Sequence, residues 1–293
     1  LAPAELREAL LLTIEKAKDA ESQGQLVTRH SLRETRLNLR VLLAEDNPVN
    51  QKLAVHMLQR FGHSVLVANN GREVLTALDA EPFDVILMDI QMPEMDGIEA
   101  TRRIREREAA DGTFTPIVAM TAHAMVGDRE RFLDAGMDDY VTKPINRDRL
   151  RAVLRGIGRT PEPEPDEPGP YDVQVSPVAA SFYRDELMSR TERDPELIRM
   201  LVDVFEADRP NLLGGVRSAM DAGNAEALER AAHTLKGAVA VFGAEPARSR
   251  AQRLETMGRD GVLDDAAELY SELETWVLRL ESDLKALAAD LAR

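Results

Sequence analysis

Cysteine is absent from the 293 residues, which excludes disulfides, thiol catalysis and cysteine-held metals. Histidine is scarce. His30, His56, His63, His123 and His233 are the full set, too few and too scattered for a multi-histidine metal centre. Aromatic residues make up only 4% of the chain, so its cores must be aliphatic. No apolar run approaches the ~20 residues that span a bilayer, so no membrane contact is expected of this segment. Positive charge is also in deficit. Lys and Arg number 37 against 52 Asp and Glu, and a net charge of −15 lacks the footprint of a nucleic-acid binder. No helix-turn-helix or zinc-finger pattern offsets that balance. The chain starts at Leu1 with no signal-peptide pattern and reads as a segment of a longer polypeptide.

Proline, by contrast, is concentrated. Pro161-Glu162-Pro163-Glu164-Pro165 and the residues to Pro170 alternate proline with acid, a composition that builds neither helix nor core. The stretch 158–180 is therefore a linker between two unlike halves. Across 40–157, short apolar runs alternate with amphipathic stretches. Strands are expected near 41–44, 64–68, 85–88, 117–120 and 140–142. Helices are expected over 48–60, 71–80, 97–108, about ten residues before Gly136, and 146–156. Five such units imply a parallel sheet covered on both faces. Across 181–293 the pattern is helical throughout. One helix starts at Asp194-Pro195, others fit 224–242, 245–258 and 264–290, and Gly243 and Gly258 fall near their ends. The fold class is α/β plus all-α: a doubly wound five-stranded domain, then a helical bundle. Residues 21–39 form a connector. Leu6, Arg7 and Leu10 align with Leu150, Arg151 and Leu154, so 1–20 read as the last helix of an earlier copy of the βα domain, or as a generic amphipathic linker helix.

In doubly wound sheets, ligands bind at the carboxyl ends of the strands. Here those ends carry Glu45-Asp46, Asp89, Thr121-Ala122 and Lys143-Pro144. Three clustered carboxylates repel unless a cation joins them, and an all-oxygen site with open positions suits Mg²⁺. A carboxylate can also attack phosphorus, with Thr121 and Lys143 placed for the phosphoryl oxygens. Taken singly, each acid could equally cap a helix or face solvent.

Residues 40–157 resemble a response-regulator receiver domain, on the strength of Glu45-Asp46-Asn47, Asp89 with Met92-Pro93 and Asp96-Gly97, Thr121-Ala122, and Lys143-Pro144. The resemblance implies a flavodoxin-like fold with Asp89 as phosphoacceptor. It implies Mg²⁺ held by Glu45, Asp46, Asp89 and the Gln91 backbone carbonyl, and a phosphoryl group bound by Thr121 and Lys143. Tyr140 takes the position of the aromatic switch residue, or is simply a half-buried strand tyrosine. The Lys143-Pro144 bond is expected to be cis, as in the family.

On a helix over 228–242, Leu228, Ala232, Leu235, Val239 and Phe242 form the core stripe. His233 projects roughly 140° from it at 100° per residue, so it is expected to face solvent, with Lys236 and Gly237 beside it on the surface. A mid-helix glycine costs about 1 kcal/mol relative to alanine. Its presence at Gly237 makes room for a partner's site to reach the imidazole. Ala232-His233-Thr234-Leu235-Lys236-Gly237 followed by Phe242-Gly243 resembles the histidine phosphotransfer (HPt) domain, a four-helix bundle. That implies His233 as phosphoacceptor, Lys236 steadying the phosphoryl group and Gly237 granting access. Gly214-Gly215 departs from the expectation of an unbroken helix.

A receiver followed by an HPt domain resembles the C-terminal region of a bacterial hybrid sensor histidine kinase in a two-component phosphorelay. No ATP-binding glycine boxes occur, so no kinase core is expected in this chain. The implied partners are a kinase core in the parent protein and a downstream response regulator. The implied location is cytoplasmic, with any membrane anchor elsewhere in the parent. The relay would run from Asp89 to His233 and onward. Alternatively, the receiver is a phosphorylation-gated binding module and His233 is served by another receiver. A metal-dependent phosphatase is disfavoured, because Asp89-Ile90-Gln91 lacks the Asp-x-Asp pattern of haloacid-dehalogenase-like enzymes.

Overall fold

The computed structural model describes residues 38–122, 128–157 and 180–291. The helix expected in 1–20, the connector up to residue 37, the linker up to residue 179 and the first part of the helix before Gly136 lie outside the described residues.

Five parallel strands form one sheet in the order β2-β1-β3-β4-β5: β1 Arg40–Ala44, β2 Ser64–Ala68, β3 Val85–Asp89, β4 Ile117–Thr121 and β5 Asp139–Thr142. Of the three inner strands, β3 (VILMD) and β4 (IVAMT) are buried at every position, as strands covered on both faces must be. Edge strand β2 instead alternates exposed and half-buried residues. Side chains alternate across the sheet. Val41, Leu43, Val85, Leu87, Val118 and Met120 point to one core with helices α1 Pro48–Arg60 and α5 Arg147–Gly156. Leu42, Ala44, Ile86, Met88, Ile117 and Ala119 point to the other, with α2 Gly71–Ala80, α3 Gly97–Asp111 and α4 Asp128–Asp134. Asn47 caps α1, its side chain accepting from the Val49 and Asn50 amides, and Pro48 fits the first turn, where no donor is lost.

The second half begins with the short α6, Arg184–Arg190. Four long helices follow: α7 Pro195–Asp221, α8 Ala225–Val241, α9 Glu245–Asp260 and α10 Ala266–Asp290. Each packs on the next, and α10 returns to α7, closing a four-helix bundle. Gly214-Gly215 does not break α7, which runs on through Pro210 as well; buried Leu212, Leu213 and Val216 hold that stretch against its neighbours. Gly258 corrects the expected boundary. It lies inside α9, which ends at Gly261 with φ +71°. A β-carbon on Gly258 would meet the Glu229 backbone nitrogen at 2.5 Å. The residue is glycine because α8 and α9 approach closely there, not because the helix stops.

Helix α1 packs on α7 and α8 as well as on its own sheet, so one aliphatic core runs from the sheet into the bundle.

Candidate functional site

Parallel pairing in register brings the strand ends to one rim. Asp89 closes β3, Glu45 and Asp46 follow β1, Thr121 closes β4 opposite Thr142 of β5, and Lys143 follows. The Lys143-Pro144 peptide is cis. Glu45 and Asp89 are almost fully buried, and the Lys143 Nζ lies 2.5 Å from Glu45 Oε2 and 2.6 Å from Asp89 Oδ2. Asn50 Nδ2 donates to the other Glu45 oxygen at 2.9 Å, and the Gln91 amide donates to Asp89 Oδ1 at 3.3 Å. Tyr140 is half-buried beside the second core layer, with the Arg149 guanidinium 5.8 Å from its ring centre.

One ammonium faces three carboxylates. Burial pushes Asp89 well above the usual carboxylate range; Lys143 opposes this, and Glu45 and Asp46 reinforce it. Burial, then Glu45, pushes Asp46 up to about 6. Burial alone would lower Lys143, but Asp89 and Glu45 raise it. Glu45, Asp46 and Asp89 each offer an oxygen, and those oxygens all lie within 4.8 Å of one another. An all-oxygen donor set with surplus negative charge fits a hard divalent cation.

The histidine stands differently from expectation. His233 and Lys236 do point away from their own bundle's stripe, yet neither faces open solvent: their side chains are 13% and 4% exposed. Glu255 and Gln252 of α9 cover them from within the bundle, and the βα domain faces them across a cleft. His233, Thr234, Lys236 and Gly237 line one cleft of about 370 Å³ together with Glu45, Asp46, Asp89 and Lys143. Asn47 Nδ2 donates to the Thr234 carbonyl at 3.2 Å, across the two halves. A β-carbon on Gly237 would sit 3.2 Å from Asn50 Nδ2, so the bare glycine is where α8 meets the start of α1.

Glu255 of α9 is a site residue that the sequence reading missed. Its buried carboxylate receives Lys236 Nζ at 2.6 Å, and its other oxygen lies 2.9 Å from His233 Nδ1. Burial opposes its charge, but hydrogen bonds from His233 and Lys236 prevail and hold its pKa down at about 2. An ionised carboxylate only accepts. The proton therefore sits on His233 Nδ1, and Nε2 keeps its lone pair. Burial lowers the His233 pKa below its ordinary 6.5; the Glu255 hydrogen bond opposes this and Lys236 aids it, and the imidazole is neutral at pH 7. The missed signal was an acid inside a buried stripe, Ala251, Leu254 and Gly258, at helical spacing. Lys236 also donates to Gln252 Oε1 at 3.1 Å.

Comparison with known proteins agrees with this division. Residues 41–155 match the response regulator receiver domain and residues 200–290 the Hpt domain. The sensor protein GacS of Pseudomonas syringae pv. syringae is 34% identical over 256 residues, covering 85% of this chain and 28% of GacS. The signal transduction histidine-protein kinase BarA of Escherichia coli K12 is 31% identical over 270 residues, covering 89% of this chain and 28% of BarA. The chain thus spans under a third of the length of these relatives. Among solved structures, a sensor histidine kinase receiver domain from Pseudomonas aeruginosa PAO1, with a magnesium ion in its active site cleft, is 41% identical. That match covers 41% of this chain and 98% of the other, with a TM-score of 0.38.

Proposed function

Because the chain joins a response regulator receiver domain to an Hpt domain, as hybrid sensor histidine kinases do, we propose that it relays a phosphoryl group from Asp89 to its own His233. The observation that carries this reading is the shared cleft: the imidazole and the acidic rim face each other within one chain.

Asp89 takes the phosphoryl group from a kinase histidine upstream in the parent protein. Mg²⁺ held by Glu45, Asp46, Asp89 and the Gln91 carbonyl would neutralise phosphoryl oxygens in that site. The Lys143 ammonium and the Thr121 hydroxyl bind those oxygens, and Tyr140 follows Thr121 as the domain switches. The lone pair on His233 Nε2 then attacks phosphorus. The N–P bond forms, the P–O bond to Asp89 breaks, and the carboxylate leaves with its electron pair. The proton on Nδ1 stays against Glu255, which steadies the positive charge that the ring acquires. Lys236 steadies the transferred group, and Gly237 keeps the approach open. Phospho-His233 passes the group to a downstream response regulator. Among the described residues no helix is long and apolar enough to cross a membrane, and a cytoplasmic position suits both proposed partners.

The test is labelling by acetyl phosphate with Mg²⁺, mapped by mass spectrometry at neutral pH, in the native chain, Asp89→Asn and His233→Gln. Label on His233 that vanishes in Asp89→Asn is the expected result. Label confined to Asp89 would replace the relay with a gating role for the receiver. Label on His233 that survives Asp89→Asn would remove Asp89 from the path.

A further inference from the structure

The two halves also meet away from the cleft, and there the contact is ionic. The turn entering α7 presents Glu192 and Asp194. The end of α1 and the start of α5 present His56, Arg60 and Arg147. Arg147 Nε lies 2.7 Å from Glu192 Oε1, and Arg60 Nη2 lies 3.3 Å from Glu192 Oε2. Arg60 Nη1 lies 4.0 Å and His56 Nε2 3.7 Å from Asp194 Oδ2. The receiver supplies only bases to this cluster and the bundle only acids, in a chain whose net charge is −15.

Two further features show that the cluster is built in. Glu192 and Arg193 both have left-handed backbones, φ +54° and +58°, a conformation that two successive non-glycine residues rarely adopt. The turn is held there by the Arg193 amide donating to the Met188 carbonyl and by the buried Thr191 hydroxyl donating to the Leu187 carbonyl. Opposite it, Arg147 and Arg151 both stack on Phe61, at 5.5 and 4.5 Å from the ring centre, which fixes where Arg147 points. None of these residues belongs to the phosphotransfer motifs, and Glu192 and Asp194 precede the Hpt segment 200–290.

The cleft at His233 is already lined by residues of this chain's own receiver. We propose that this cluster is a specificity latch: Glu192 and Asp194 select the chain's own receiver, through Arg60 and Arg147, and keep a competing receiver off His233. The proposal rests on the relay reading for its consequence, but the latch has a readout of its own.

The experiment uses full chains in two arms. In the first, diethyl pyrocarbonate modification of His233 is followed by peptide mass spectrometry in the native chain and in Arg60→Glu/Arg147→Glu. The double variant is expected to expose His233 several-fold faster, while acetyl phosphate still labels its Asp89, showing that its receiver is folded. In the second, an isotope-marked Asp89→Asn chain accepts phosphoryl groups from a His233→Gln chain. Charge reversal in the acceptor frees its bundle, and transfer between chains should rise by roughly tenfold, the scale of a few ion pairs at a partly exposed contact. The same reversal in the donor should lower transfer, and Glu192→Arg in the acceptor should restore part of it. Unchanged modification of His233 and unchanged transfer between chains would overturn the latch. Faster modification with no transfer from Asp89 to His233 in any chain would keep the latch and defeat the relay.

Discussion

Consider Glu255→Gln, which changes one oxygen of the buried carboxylate to an amide nitrogen and removes its charge. In the native chain this carboxylate accepts from His233 Nδ1 and the Lys236 ammonium, and Arg259 Nη2 adds a longer contact at 3.3 Å. Its pKa falls from an ordinary 4.5 to about 2, burial being outweighed by those hydrogen bonds. At about 1.4 kcal/mol per tenfold, and with allowance for screening at the open side of the cleft, the arrangement is worth on the order of 2 kcal/mol. The sign follows from a depressed carboxylate. The stabilisation is complete above pH 4.5 and is lost as pH falls through 2, so the deficit of the variant in urea unfolding should be full at pH 7 and smaller at pH 3. A chemical effect accompanies it. The glutamine amide can donate to Nδ1, which lets the proton move to Nε2 and blocks the attacking lone pair. Nitrogen NMR should show a single Nδ1–H tautomer in the native chain and a mixture in the variant. Transfer from Asp89 should slow about tenfold, the loss expected when a charge-assisted hydrogen bond becomes a neutral one. A variant with the native tautomer and the native transfer rate would refute this account of Glu255.

Three other outcomes follow from the geometry. Gly237→Val should push Asn50 away from α8 and slow transfer by about tenfold, equivalent to ~1.4 kcal/mol of docking, while acetyl phosphate still labels Asp89. Gly258→Ala should lower stability by about 1–3 kcal/mol in denaturant titration, although alanine is the better helix former, because its β-carbon meets the Glu229 and Ala225 backbone rather than a side chain that can move. Burial raises Asp89, and raises Asp46 to about 6, so binding of a divalent cation must displace protons. Mg²⁺ affinity should therefore increase from pH 6 to pH 8, and calorimetry in buffers of different ionisation heat should register proton release; pH-independent binding would contradict it.

Much of this molecule was legible from residue order because local rules suffice for it. The strand runs lie within a residue or two of their observed limits, since fully buried parallel strands are continuous apolar runs. The acids at the strand ends converge because parallel register leaves them no other place. What was not legible is contact between distant segments. Periodicity placed His233 off its own helix's core stripe, correctly, and from that alone implied solvent; nothing in the pattern says that Glu255 of α9 and a neighbouring domain close around it. Gly258 shows the same limit. A glycine near a helix end and a glycine under a crossing backbone look alike in one dimension. Glu255 was visible only as an acid in an apolar stripe, and its meaning depends on two side chains about twenty residues earlier on another helix.

Helix α1 buries one side against its sheet and another against α7 and α8. Parting the two halves therefore wets aliphatic surface that is dry when they are joined. That hydration carries a heat-capacity increase, and the attraction it opposes weakens on cooling. The parted state is then a costly, transient species whose population depends on temperature. Exchange of one receiver for another at this histidine would pass through that parted state, so its rate should vary with temperature as the cost of wetting those helices does.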